Sequence, residues 1–570
     1  MTLNTRILTL TLASALASLH AAPGMAEENK WIGDHGGAWE NKTNWSAGRV
    51  PIETDDVVIE GAMVIITVTE SYKLQGDGSV KVVPKKMNSL RIEGTNHNLS
   101  VIILGAPKQG NLGGFAGQIP ITLAFLVKQD VDIKGVTTIL AAPAAPDTSK
   151  VPGGSVHIIS SEGSISIGDD VFLTANSGSS DPLPPGQDPE RLRTLPADPD
   201  ANEALQPGTR RGDGGYVELS AAKDITIGRA ILSGGSGGAI GSERATGGDI
   251  TLKAGGTIRV RGDLRPGAGR YAAGGTLMLK AVQRVIIREH AKIWGGTSLH
   301  GLATHARGGD VVLLANQEVI NRSEGVRPGS GRTGGRLLIN TKVLTNDRSM
   351  RGGISYANNV PGGNIIIQLD DAAASTPGHL FPGNFQGQGS SNPKQGKTHI
   401  LGQGDMKING LIGGSEVLLA LQPAGPAAPT LTFLPDAQIV AQELVCLDTN
   451  DGTIDFSQVS ISGGSGQDSV ILNPAGFTNL VGTAELPEGF GSLEEAMTAL
   501  VEGSYDFSDE GCAPDWCDPD LNGDGVVNEL DVEILELVWG FPLDFADLNQ
   551  DGMVDADDLG ILLALWGACS

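Results

Sequence analysis

At 570 residues the chain is too long for one ordinary hydrophobic core, so several units are expected. Its formal charge is −26, aromatic residues make up only 4 %, and glycine contributes 81 positions. No lysine or arginine follows Lys407. So acidic a C-terminal part excludes nucleic acid and anionic membrane surfaces as its partners.

The first 26 residues read as a secretory signal peptide. Arg6 precedes an apolar run from Ile7 to Leu19, too short to span a bilayer, and small residues follow. Gly24 and Ala26 suit cleavage after Ala26, and Ala22 offers a second position. No transmembrane segment is expected elsewhere. The predicted location is therefore secreted, extracellular or at the cell surface, where disulfides persist. Cys446, Cys512, Cys517 and Cys569 suit that compartment. Cys517 and Cys569 bracket the C-terminal segment, and three pairings of the four are open.

Residues 27–65 form a tryptophan-rich segment with Trp31, Trp39 and Trp45, followed by Val50-Pro51 and Asp55 to Ile59. It resembles an element found at the start of secreted bacterial β-rich proteins. Two roles are open. The indoles can plug the end of a β structure, or they can stack on sugar rings.

From 66 to 490 the chain is a repeat. A Gly-Gly pair followed by alternating apolar residues starts at Gly153, Gly214, Gly247, Gly274, Gly308, Gly334 and Gly362. Representative segments are GGYVELSA, GGDITLKA and GGDVVLLA, and a second short apolar stretch follows many of them. Alternation with period two predicts short strands with one buried face. The glycine pairs predict turns that β-branched residues cannot make. Units of this length holding two or three strands predict a mainly β fold, a right-handed parallel β-helix whose aliphatic residues stack inside. The pattern also resembles filamentous-haemagglutinin-like secreted passengers. Residues 181–213 are Pro-rich, charged and aperiodic, and are expected to protrude as a loop. Arg211-Gly212-Asp213 and Arg261-Gly262-Asp263 are read as chance tripeptides.

Strand-like stretches continue from Gln442 to Leu472. The segment 491–517 is expected to hold a short helix, opened by a capping box at Ser492 to Glu495 and ended near Gly503, and then a linker from Glu510.

The end of the chain, 518–570, carries two near-copies of one acidic loop: DLNGDGVVNELD from Asp520 and DLNQDGMVDADD from Asp547. Asp520, Asn522, Asp524, Asn528 and Asp531 occupy loop positions 1, 3, 5, 9 and 12, and Val526 would offer its carbonyl at position 7. Asp547, Asn549, Asp551, Met553, Asp555 and Asp558 repeat the set. Alternating oxygen ligands around a position-6 glycine suit hard Ca²⁺, so two bound ions are predicted. Each loop runs into one amphipathic helix ending in Trp-Gly, and prolines flank the approach to both. This duplicated loop-plus-helix unit resembles a type I dockerin. The resemblance implies a small all-α, calcium-bound module that docks on a cohesin-like domain or another surface protein. Positions 10 and 11 hold Glu529-Leu530 and Ala556-Asp557 in place of the Ser-Thr-like pair common in that family.

No catalytic residue is assigned. HExxH and Walker-type motifs are absent from the sequence, and no GxSxG stands in a strand–turn–helix context. Arg284, Arg288 and His290, with Arg259 and Arg261 one repeat earlier, form either a basic patch for an acidic sugar or an ordinary solvated strand face. Asn41, Asn44, Asn98 and Asn321 start Asn-x-Ser/Thr triplets of doubtful use in a bacterial setting. Two function classes follow. The first is a non-catalytic exported calcium-binding rod with an attachment module, acting in surface assembly and polysaccharide contact. The second is a dockerin-tethered polysaccharide lyase or glycoside hydrolase.

Overall fold

The computed structural model describes residues 26–67, 72–74, 80–94, 100–105, 122–141, 153–175, 214–236, 245–298, 306–356, 360, 362–382, 395–435, 437–449, 453–455, 460–462, 470–473, 476–477, 519, 521, 526–527, 531–532, 534–535, 539, 546, 548 and 554–568. Residues 1–25 of the expected signal peptide, the loop 181–213, the helix expected at 492–503 and the linker from Glu510 apart from Pro519 lie outside these residues.

Among the described residues 33 strands join into one hydrogen-bonded system, consistent with a parallel β-solenoid. From Lys85 to Trp294 each coil contributes three strands, from Val311 the first two run together as in Val311–Asn321, and strands pair in parallel with their counterparts one coil on. Ser155–Ser160, Ile165–Ile167 and Val171–Thr174 pair with Val217–Ala221, Ile225–Ile227 and Ile231–Ser233. Those pair in turn with Ile250–Ala254, Ile258–Val260 and Asp263–Arg265. The repeat read from the glycine pairs is thus the structural repeat. The in-register ladder Val156, Val217, Ile250, Leu277, Val311, Leu337 and Ile365 is fully buried. Each such residue contributes about 1.5–3 kcal/mol of burial. No single coil could bury that face alone, so the coils depend on stacking.

The glycine pairs serve a different purpose from the one expected. None of them adopts positive φ. They form a seam where the end of one coil meets the start of the next. Gly235 N–H donates to the Gly215 carbonyl at 2.7 Å, Gly248 to Gly235 at 2.7 Å, Gly267 to Gly248 at 2.7 Å and Gly275 to Gly267 at 2.8 Å. The chain of bonds continues through Gly296, Gly309, Gly329, Gly335 and Gly353 to Gly363. A Cβ on Gly248 would lie 1.9 Å from the Gly215 oxygen. Close backbone approach, not turn conformation, demands glycine here.

At the corners, acidic side chains staple successive coils. Asp130, Asp169, Asp224, Asp249 and Asp310 accept hydrogen bonds from the backbone N–H of Ser164, Arg229, Thr257, Thr276 and Arg336 at 2.6–2.8 Å. Many of the carboxylates therefore have structural work.

The N-terminal segment is continuous with the coil stack. Glu27–Lys30 pairs with Asp55–Glu60, which pairs with Ser89–Glu93. Trp31, Trp39 and Trp45 are buried and join the interior cluster. Trp45 meets Trp31 and Trp39 edge-on at 5.1 and 4.7 Å, and Trp39 lies 6.1 Å from Phe125. Trp45 Nε1 donates to the Trp39 carbonyl at 2.7 Å. Of the two roles open from sequence the burial of Trp31, Trp39 and Trp45 favours the plug, because none of these three indoles presents a face to stack on a sugar.

Candidate functional site

The strands that follow the glycine pairs present an outward ladder whose character changes along the axis. Register places His157, Glu218, Thr251, Met278, Val312, Leu338, Ile366, His399, Leu418 and Cys446 in one line. Its first part is polar. His157 Nδ1 and Lys253 Nζ contact the Glu218 carboxylate at 3.0 and 3.2 Å, and Tyr216 stands edge-on to His157 at 4.7 Å. The hydrogen bond from His157 and the charge of Lys253, against the opposing effect of burial, hold Glu218 at about 2. Lys280, in register with Lys253, is pushed down to about 8 by burial and by its cationic neighbour.

From Met278 to Ile366 the ladder is apolar. A strand with one solvated face should alternate, yet Val311 to Ala315 reads VVLLA without a break. Val311 and Leu313 belong to the interior cluster, whereas Met278, Val312, Leu314 and Leu338 belong to a separate buried cluster on the outside. That outer cluster also contains Leu521, Val527, Ile534, Leu535, Ala546, Val554 and Leu562 of the C-terminal segment, with Ile366 packed against it. The reading of the repeat in terms of one buried face missed this surface. The unbroken apolar runs were its signal.

Two ion clusters lie on or beside these strands. Asp310 is paired with Arg307 and with Arg336 at 2.8 Å. Although full burial pushes its carboxyl up, the two guanidinium charges hold it at about 2. Glu416 contacts His399 and Lys397 at 3.0 Å each. Burial raises it, but the His399 hydrogen bond and the charges of His399 and Lys397 hold it at about 2.

The basic patch considered from sequence does not form a converging groove. Arg259 pairs with Asp224 at 2.9 Å and Arg284 with Glu318 at 3.7 Å. Arg261, Arg288 and His290 are exposed. Ile258 and Val260 fill the interior while Arg259 points outward, as period-two geometry requires.

Of the predicted calcium ligands, Val526, Asp531, Asp555 and Asp558 are described. Asp520, Asn522, Asp524, Asn528, Asp547, Asn549, Asp551 and Met553 lie outside the described residues. No group of three or more metal-ligating side chains occurs among the described residues. Asp531 and Asp558, the position-12 residues of the two loops, are both fully buried. The second loop runs into the helix Ala556–Ala564 through a reciprocal capping box. Asp555 N–H donates to the Asp558 carboxylate at 2.7 Å, and Asp557 N–H donates to Asp555 Oδ1 at 2.9 Å. Asp531 and Asp558 thus bring buried carboxylate oxygens to the last position of each loop, beside the carboxylates and amides that the sequence places at the other positions. That donor set fits a hard divalent cation. Val526–Val527 pairs antiparallel with Gly567–Ala568, which ties the first loop to the residues after the last helix.

Cys446 is disulfide-bonded and 2 % exposed, packed beside Leu418. Cys512, Cys517 and Cys569 lie outside the described residues, so the pairings sketched from sequence are not distinguished. No family model, no curated protein and no solved structure matches this chain.

Proposed function

We propose that this is an exported calcium-binding protein in which a right-handed β-helical rod carries a dockerin-like attachment module. It would act in extracellular or cell-surface assembly and in contact with polysaccharide. The observation that carries the reading is the burial of Asp531 and Asp558 at matching loop positions in a segment devoid of basic residues. Asp520, Asn522, Asp524, Asn528 and Asp531, with the Val526 carbonyl, would hold one ion. Asp547, Asn549, Asp551, Asp555 and Asp558, with the Met553 carbonyl, would hold the other. Bound calcium supplies the positive charge that lets the crowded carboxylates share a fold. Trp539 and Trp566, the equivalent tryptophans of the two repeats, are 41 % and 49 % exposed. Leu563 and Leu565 are exposed beside the second. Such an apolar surface suits a protein partner, a cohesin-like domain among the candidates. Calorimetry on the full chain should report two calcium ions. Fewer than two would overturn the reading.

One arrangement favours the second reading, a β-helix lyase or glycoside hydrolase tethered by the module. Lys253 and Lys280 are neighbours in register on an outward face beside Glu218 and His157, and Lys280 is shifted towards neutrality. A lysine of that kind suits proton abstraction next to a sugar carboxylate. Release of unsaturated products from pectin or alginate, abolished by Lys280→Met, would support this alternative and displace the rod.

A further inference from the structure

We propose that the apolar outer ladder of the solenoid is the dock for the chain's own C-terminal module, a latch fastened by a disulfide at Cys446 and kept closed by calcium. The calcium dependence rests on the function proposed above; the dock itself does not. Three observations carry it. First, Met278, Val312, Leu314 and Leu338 share one buried cluster with Leu521, Val527, Ile534, Leu535 and Leu562. The occupant of this face is therefore a segment of the same chain. Second, the same ladder runs on through Ile366, His399 and Leu418 to Cys446. Cys446 is disulfide-bonded, and every other cysteine of the chain lies at 512 or beyond. The bond thus joins this sheet to the C-terminal segment, whichever cysteine supplies the second sulfur. Third, the charges agree. The C-terminal segment has no basic residue, and Lys280 stands in register with Leu314 at the edge of the apolar region.

With Cys512 as the partner of Cys446 the reach is sufficient. Four ladder steps separate Cys446 from Leu338, about 19 Å at the usual strand spacing. The nine residues from Cys512 to Leu521 span up to about 30 Å when extended. The segment can thus turn back from the disulfide and lie along the outer face. Calcium enters because Asp531 and Asp558 are buried in the module that supplies the packing residues. Without the ions the carboxylates crowded within each loop repel one another and open the module, its apolar side chains leave the ladder, and the disulfide keeps the freed segment attached.

The test uses the full oxidised chain. Limited proteolysis and binding of an apolar dye are followed with calcium and with chelator, for the wild type and for Val312→Glu and Leu338→Glu. In calcium the wild type should be protected. Chelation, and either substitution in calcium, should speed cleavage of the C-terminal segment by about tenfold or more, because cleavage follows the open population. The β signal of the solenoid should persist. Peptide mapping without reductant should find Cys446 joined to a C-terminal cysteine. Full protection of both folded ladder variants would overturn the dock, as would a free Cys446. Protection that survives chelation in a chain shown to bind calcium would overturn the calcium control alone. A chain that binds no calcium would sink the proposed function, while the ladder variants and the peptide map would still decide the dock.

Discussion

Val312 and Leu338 sit opposite each other on successive strands, both buried, and both turned away from the interior that Val311 and Leu337 fill. A coil stack needs only one apolar face per strand. Two apolar faces mean that something covers the outside, and the covering residues belong to the same chain.

The glycine seam predicts an unusual sensitivity to a single methyl group. Gly309→Ala would place a Cβ 1.9 Å from the Gly275 carbonyl oxygen. A loss of about 3 kcal/mol is expected, at the upper end for overpacking. Gly413→Ala is the control, since its nearest heavy atom would be 3.7 Å away. Thermal unfolding should separate the two variants by many degrees. Equal melting temperatures would refute the close-approach account.

Asp310→Asn keeps an oxygen to accept the Arg336 amide but removes the charge shared by Arg307 and Arg336. Leaving two guanidinium groups beside a neutral residue in a buried site should cost about 3–5 kcal/mol. Denaturant titration at neutral pH measures this directly.

Acid stability follows from the same chemistry. Glu218, Asp310 and Glu416 are all held at about 2, below their ordinary values of 4.5, 3.8 and 4.5. A carboxylate whose folded value is depressed contributes stability above its unfolded value and loses it as pH falls towards the folded one. The solenoid should therefore weaken progressively between about pH 4.5 and 2. Glu416→Gln should flatten that part of the profile. A profile unchanged by the substitution would argue against Glu416 as a contributor.

Trp39→Ala should cost about 3–5 kcal/mol, the usual loss for a large buried aromatic, because Trp39 packs on both Trp45 and Phe125. Polysaccharide binding by any folded protein that remains should be unaltered. Selective loss of binding at unchanged stability would restore the sugar-stacking role.

Asp558→Ala removes both a predicted calcium ligand and one half of the capping box that opens the helix Ala556–Ala564. Calorimetry should then find one ion rather than two. The helix should lose about 1 kcal/mol of capping, visible in its circular dichroism.

The repeat was legible because its signal is strictly periodic: each Gly-Gly pair marks one coil, and interior residues recur at alternate positions. The reason for the glycines was not legible. Sequence cannot distinguish a residue that must bend the backbone from one that must let another backbone pass, and Gly248 is of the second kind. Of the two readings open for the basic residues at 259, 261, 284, 288 and 290, the solvated strand face is the one the structure shows, and only the structure reveals the carboxylates on neighbouring coils that neutralise Arg259 and Arg284. The tryptophans could plug or bind, and only their burial decided. The outer dock went unread for a simpler reason. Its evidence was the failure of alternation in VVLLA, a run that a buried strand and a covered outer face write identically.

The unbroken run of glycine amides and carbonyls from Gly215 to Gly363 constrains how such a molecule can change length. Each coil supplies one partner from its opening and one from its close, so half a coil would leave an amide facing nothing. Insertions and deletions are tolerated at the corners, where loops can swell outward, or else must come as complete coils carrying both glycine stretches. The backbone seam thus acts as a ratchet on evolution: the rod can be lengthened or shortened only in whole turns.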